Sequence, residues 1–110
     1  MQVDEKVLTE QTFDETLATT DGLLLVDFWA PWCGPCLAVA PVLEALSGES
    51  HGRVALAKVN VDEQPRLAAR FEILSIPTIL FVKDGRIVER VVGALPKAAL
   101  QAKIQSALAA

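Results

Sequence analysis

The sequence has 110 residues, of which 52% are hydrophobic and 22% charged, with a formal net charge of −4. A chain of that length forms one domain, because folding removes about 65% of the unfolded surface from water; a single domain over residues 1–110 is expected, and disorder or a fold held by metal or disulfide staples is excluded. Both signs of charge are scattered along the chain, with no basic stripe to neutralise phosphates, so nucleic acid and anionic membranes are excluded as partners.

The chain opens Met1-Gln2-Val3-Asp4-Glu5-Lys6, acidic and polar where a secretory signal is basic and then apolar, so a cytoplasmic location is expected. The architecture reads β-α-β-α-β-α-β-β-α. Thr12 followed three residues later by Glu15 has the pattern of a capping box opening a short helix through Phe13 and Leu17 toward Thr19, which Asp21-Gly22 ends. Leu23 to Trp29 is apolar at both alternating positions except Asp27, the pattern of a central strand covered on both sides. Asp27 also interrupts this run far short of the roughly 20 residues that span a bilayer.

Beyond Cys36 the residues Val39, Ala40, Val42, Leu43 and Leu46 keep a helical period up to Ser47-Gly48, with Pro41 inside and expected to kink the helix. Val54 to Val61 reads as a strand, and Gln64 to Phe71 as a short helix with Asp62 at its cap position. Thr78 to Lys83 and Ile87 to Val92 are strands joined by Asp84-Gly85, a tight antiparallel hairpin signal, so the sheet is mixed. Pro96 suits the first turn of a last helix in which Leu100, Ile104 and Leu108 form a buried stripe. His51, between Ser50 and Gly52, reads as a solvated loop histidine.

Two cysteines stand as Cys33-Gly34-Pro35-Cys36, directly after a strand and at the start of a helix. A disulfide closing so short a loop removes little entropy from the unfolded chain, so it has little value as a staple. A structural zinc site needs four ligands, whereas the chain offers these two thiols and the distant His51. Redox chemistry has a positive cause: the helix N-terminus favours a thiolate at its first cysteine, and the thiolate is the attacking species. Cys33 is then the nucleophile. Cys36, one turn further in and buried, stays protonated until it attacks the mixed disulfide that Cys33 forms with a substrate.

The segments Asp27-Phe28-Trp29-Ala30-Pro31-Trp32-Cys33-Gly34-Pro35-Cys36, Ser75-Ile76-Pro77-Thr78 and Val92-Gly93-Ala94 together resemble the thioredoxin family, in its order and spacing and over nearly the whole chain. The resemblance implies a thioredoxin fold, an α/β architecture with a central mixed five-stranded sheet flanked by helices on both faces. It implies a cis Ile76-Pro77 peptide facing the cysteines, and a shallow apolar patch of Trp32, Gly34, Pro35, Ile76, Pro77, Gly93 and Ala94 that docks an extended substrate segment. Pro77 lacks an N–H, so Ile76 becomes the backbone partner of that segment.

Asp27 and Lys58 are charged residues in otherwise apolar strands, and burying a charge is costly. The resemblance assigns Asp27 as the buried acid–base group serving Cys36, with Lys58 as its neighbour, and a desolvated carboxyl holds its proton more tightly. It implies a monomeric protein-disulfide reductase without a cofactor of its own, recycled by a flavin-containing, NADPH-dependent thioredoxin reductase. Leu37 departs from the Lys or Arg common after the second cysteine, which leaves the redox poise open, and Leu74 and Ser75 leave partner preference open. Two other readings of the fold remain: an oxidase or isomerase, against which Gly34-Pro35 and the polar N-terminus speak, and a binding subunit whose thiols are idle.

Overall fold

In a computed structural model, which describes residues 5–110, the elements are β1 (Glu5–Val7), α1 (Phe13–Thr19), β2 (Leu23–Trp29), α2 (Gly34–Gly48), β3 (Val54–Asn60), α3 (Pro65–Arg70), β4 (Thr78–Lys83), β5 (Arg86–Val92) and α4 (Lys97–Ala109). Residues 1–4, on which the targeting reading largely rests, lie outside the described residues. The strands form one sheet in the order β1-β3-β2-β4-β5. β3 runs parallel to both β1 and β2, while β4 and β5 add antiparallel, so the sheet is mixed as the Asp84-Gly85 signal implies. Both hairpin residues take left-handed backbone, φ 53° at Asp84 and 77° at Gly85, the twist that suits a two-residue hairpin.

The central position of β2 explains its nearly unbroken apolar run. Leu23 and Leu25 pack on one face with Val39 and Leu43 of α2 and Leu100 and Ile104 of α4. Leu24, Val26 and Phe28 pack on the other with Phe13 of α1 and Leu67 of α3. Each fully buried side chain of this kind contributes about 1.5–3 kcal/mol relative to exposure. Two helices therefore cover each face, and β2 ends with its last residues delivered to the beginning of α2.

Three helix boundaries differ from expectation. Thr12 precedes α1 but makes no capping box: its φ and ψ of −102° and −11° are helical, and its Oγ1 accepts from the Thr9 N–H at 3.0 Å. A tight turn over Thr9–Thr12 thus takes the oxygen that the cap would use. Asp62 does not cap α3, which Gln64 precedes; the Asn60 side chain organises that turn by accepting from the Asp62 and Glu63 N–H groups. Pro96 stands just before α4, and the buried stripe there is Leu100, Ile104 and Ala107, with Leu108 half-buried. The end of α4 has an unforeseen cap, because Lys83 of β4 donates to the Ala107 and Leu108 carbonyls, both at 3.0 Å, in the last turn, where a helix runs out of N–H donors of its own.

Candidate active site

The site is built where β2 hands the chain to α2. Cys33 is the N-cap residue of α2, with extended backbone at φ −91° and ψ 106°, and its Sγ accepts from the Cys36 N–H at 3.2 Å. Gly34 and Pro35 occupy the first turn, where the missing proline N–H sacrifices no helical bond. No acidic residue stands in that turn, so the partial positive charge of the helix end falls on the Cys33 sulfur without a competing carboxylate. Cys33 and Cys36 are joined by a disulfide with their Cα atoms 5.2 Å apart. Cys36 is 1% exposed and Cys33 5%, so Cys33 is the outer of the two.

The disulfide borders an open cleft of about 540 Å³. One wall is Trp32, Cys33, Gly34 and Pro35, and the other is Val61 with the segment Ile73–Ile76. The Cys33 Sγ lies 3.7 Å from the Ile76 carbonyl oxygen. Trp32 is 69% exposed, yet its indole is fixed, because Nε1 donates to Asp62 Oδ2 at 2.7 Å. The carboxylate read from sequence as a helix cap thus orients an aromatic wall of the cleft instead.

Ile76-Pro77 is a cis peptide, as the resemblance implies. Pro77 is buried behind the cleft, and its carbonyl accepts from the Gly93 N–H at 2.8 Å. Gly93 is half-buried and Ala94 exposed, and neither is among the residues that line the cleft. The structure gathers Trp32, Gly34, Pro35 and Ile76 along the cleft with Cys33, and ties Gly93 to Pro77, the residue after Ile76. Val61, Ile73, Leu74 and Ser75 line the cleft without having been singled out as site residues. The available signal was the pair Ile73-Leu74, apolar residues in a loop with no helical or strand period to bury them; Leu74 is 95% exposed.

Asp27 is buried, 1% exposed, and lies in register between Lys58 of β3 and Ile79 of β4. Strand alternation puts it on the same face as Leu23 and Leu25, the face that α2 covers. Lys58 is half-buried, with Nζ 4.5 Å from the centre of the Trp29 ring. Leu37 points outward, 54% exposed, and His51 is an exposed loop residue. Among the described residues no group of three or more His, Cys, Asp or Glu is placed to hold a metal ion, and no helix is long and apolar enough to cross a membrane.

The sequence model of the Thioredoxin family matches residues 4–106. Thioredoxin 2 of Chlorobaculum tepidum is 47% identical over 96 residues, which are 87% of this chain and 88% of that protein. Thioredoxin of Bacillus subtilis is 48% identical over 93 residues, 84% of this chain and 88% of its own. Among solved structures, a mutant thioredoxin from Halobacterium salinarum superposes with a TM-score of 0.86 at 35% identity, covering 94% of this chain and 90% of that one.

Proposed function

Because the chain belongs to the thioredoxin family and is a thiol–disulfide oxidoreductase, we propose a residue-by-residue cycle in which it reduces disulfides of protein substrates. The Cys33 thiolate attacks one sulfur of a substrate disulfide, forming the Cys33–substrate mixed disulfide and expelling the other substrate sulfur as a thiolate. Asp27 then takes the proton of the Cys36 thiol, and the Cys36 thiolate attacks the Cys33 sulfur. The second substrate thiolate leaves, and two electrons have passed from the Cys33–Cys36 pair to the substrate. Lys58, beside Asp27, offsets the negative charge that the Asp27 carboxylate carries before the transfer, which neutralises Asp27 and leaves the charge on the Cys36 sulfur.

Trp32, Gly34, Pro35 and Ile76, with Pro77, Gly93 and Ala94, form the apolar patch on which the substrate docks beside the sulfurs. An extended substrate segment meets the backbone of Ile76, since Pro77 has no N–H to give. The oxidised form returns to the dithiol through an NADPH-dependent flavin reductase, and the protein acts as a cytoplasmic monomer. The observation that carries this reading is the position of the Cys33–Cys36 pair at the N-terminus of α2 on the edge of an open cleft. Insulin reduction by dithiothreitol tests it: the protein should accelerate precipitation of the insulin B chain, and a rate no higher than that of dithiothreitol alone would contradict it.

A further inference from the structure

One wall of the cleft is the four-residue segment Ile73–Ile76, and its usefulness depends on how its two ends are held. The downstream end is secured by Thr78 Oγ1 donating to the Ser75 carbonyl at 2.7 Å and Gly93 N–H donating to the Pro77 carbonyl at 2.8 Å. The upstream end emerges from α3, whose last turn closes with Glu72 N–H on the Ala69 carbonyl and Ile73 N–H on the Ala68 carbonyl. Glu72 lies in left-handed backbone at φ 53°, the position in this helix-ending motif that glycine usually fills. The motif satisfies Ala68 and Ala69 and leaves the Phe71 and Glu72 carbonyls to find partners elsewhere.

Both are taken by one side chain. Arg90 Nη2 donates to the Phe71 carbonyl and, at 3.3 Å, to the Glu72 carbonyl. Arg90 stands on β5, the edge strand, paired with Leu80 of β4, and it is exposed, so its charge is not desolvated by reaching across. A planar guanidinium is suited to such a double grip because its donors are fixed relative to one another.

We propose that Arg90 is a positioning residue for disulfide exchange: by gripping the Phe71 and Glu72 carbonyls it fixes the upstream end of Ile73–Ile76, and so the wall against which a protein substrate docks beside Cys33. The inference rests on the reductase reading above. Leu74 is almost fully exposed, so packing does not hold it and its place depends on the backbone on either side. Without Arg90 the upstream end keeps only the helix-ending bonds at Glu72 and Ile73, and the added freedom must be frozen when a substrate docks, a cost subtracted from binding. Arg90 touches no reacting sulfur, so its loss weakens docking and leaves sulfur chemistry unchanged.

The test compares wild type, Arg90→Thr and Arg90→Lys in initial-rate reduction of insulin and of the small aromatic disulfide DTNB, with melting curves alongside. Threonine keeps the strand propensity of β5 and removes the grip; lysine keeps the charge on a rotating ammonium in place of N–H groups fixed in the guanidinium plane. Arg90→Thr should raise KM for insulin about threefold to tenfold with kcat and the DTNB rate within about twofold of wild type, and Arg90→Lys should fall between. Unchanged insulin KM in Arg90→Thr overturns the proposal even if its melting temperature falls, as does an equal loss on insulin and DTNB. If Arg90→Thr does not fold, the same split or its absence in Arg90→Lys decides. A wild type that reduces neither substrate overturns the reductase reading itself, whereas a fully active Arg90→Thr overturns Arg90 alone.

Discussion

Asp27 of β2 and Lys58 of β3 are register partners across a parallel pair, on the face of the sheet that α2 covers. The Asp27 carboxyl is buried, which disfavours its charged form, while Lys58 is half-buried and reaches the Trp29 ring. Asp27→Ala should be more stable than wild type near neutral pH by about 1–4 kcal/mol. The sign follows from linkage: a buried acid binds its proton more tightly in the native state, so acid favours the wild-type fold and the gap narrows as pH falls. Denaturant melts across about pH 4 to 9 measure the gap, and stopped-flow reduction should show slower resolution of the mixed disulfide. A variant less stable at every pH, or as fast as wild type, would contradict the assignment.

Arg70 of α3 grips Asp14 of α1 with two hydrogen bonds, of 2.7 and 3.1 Å. Those bonds first, and the guanidinium charge as a lesser cause, hold the Asp14 carboxyl below its ordinary value of 3.8. The stability that this lowering brings is complete above the ordinary value and is lost as pH falls through the lower native one. Asp14→Asn should therefore melt slightly below wild type at neutral pH, and the two curves should converge in acid and in high salt. Arg70→Ala should cost more, because the guanidinium also lies 5.5 Å from the Phe13 ring centre and 4.9 Å from that of Phe71.

Gly22 and Gly34 should respond oppositely to alanine. Gly22 has φ 74°, and a Cβ there would lie 2.7 Å from the Arg53 carbonyl oxygen, the same oxygen that accepts from the Leu23 N–H to begin the β2–β3 ladder. Gly22→Ala should destabilise by about 1–3 kcal/mol. Gly34 is helical with open space at its Cβ position, so Gly34→Ala should leave stability unchanged or raise it by up to about 1 kcal/mol. Chemical melts of both variants check the contrast, and equal effects would contradict the backbone argument.

The parts of the fold legible in sequence are those whose cause is local. The bounds of β2 and β4 are legible to the residue because Gly22 and Asp84-Gly85 punctuate apolar runs, and the hairpin follows from two residues able to take positive φ. Caps are less legible, since the Thr12 and Asp62 oxygens have several partners within reach, and the turn at Thr9 and the indole of Trp32 claim them. The same limit applies to the cleft. Cys33, Cys36, Gly34, Pro35 and Trp32 are contiguous and declare themselves. Val61 and Leu74 join them only because β3 and β4 flank β2 in the sheet, an order that no local pattern encodes. Arg90 is hidden for the same reason: its grip on Phe71 and Glu72 spans nearly 20 positions.

The most direct test of the account is the asymmetry between the two cysteines, because Cys33 caps the helix at the edge of the cleft and Cys36 lies beneath it. Single serine variants are mixed with a disulfide substrate and their intact masses measured. Cys36→Ser should gain the mass of one substrate thiol as a stable mixed disulfide, since attack by Cys33 proceeds and resolution cannot, while Cys33→Ser should remain unmodified. A mixed disulfide on Cys33→Ser, with Cys36→Ser left unmodified, would contradict the assignment of Cys33 as the attacking thiol.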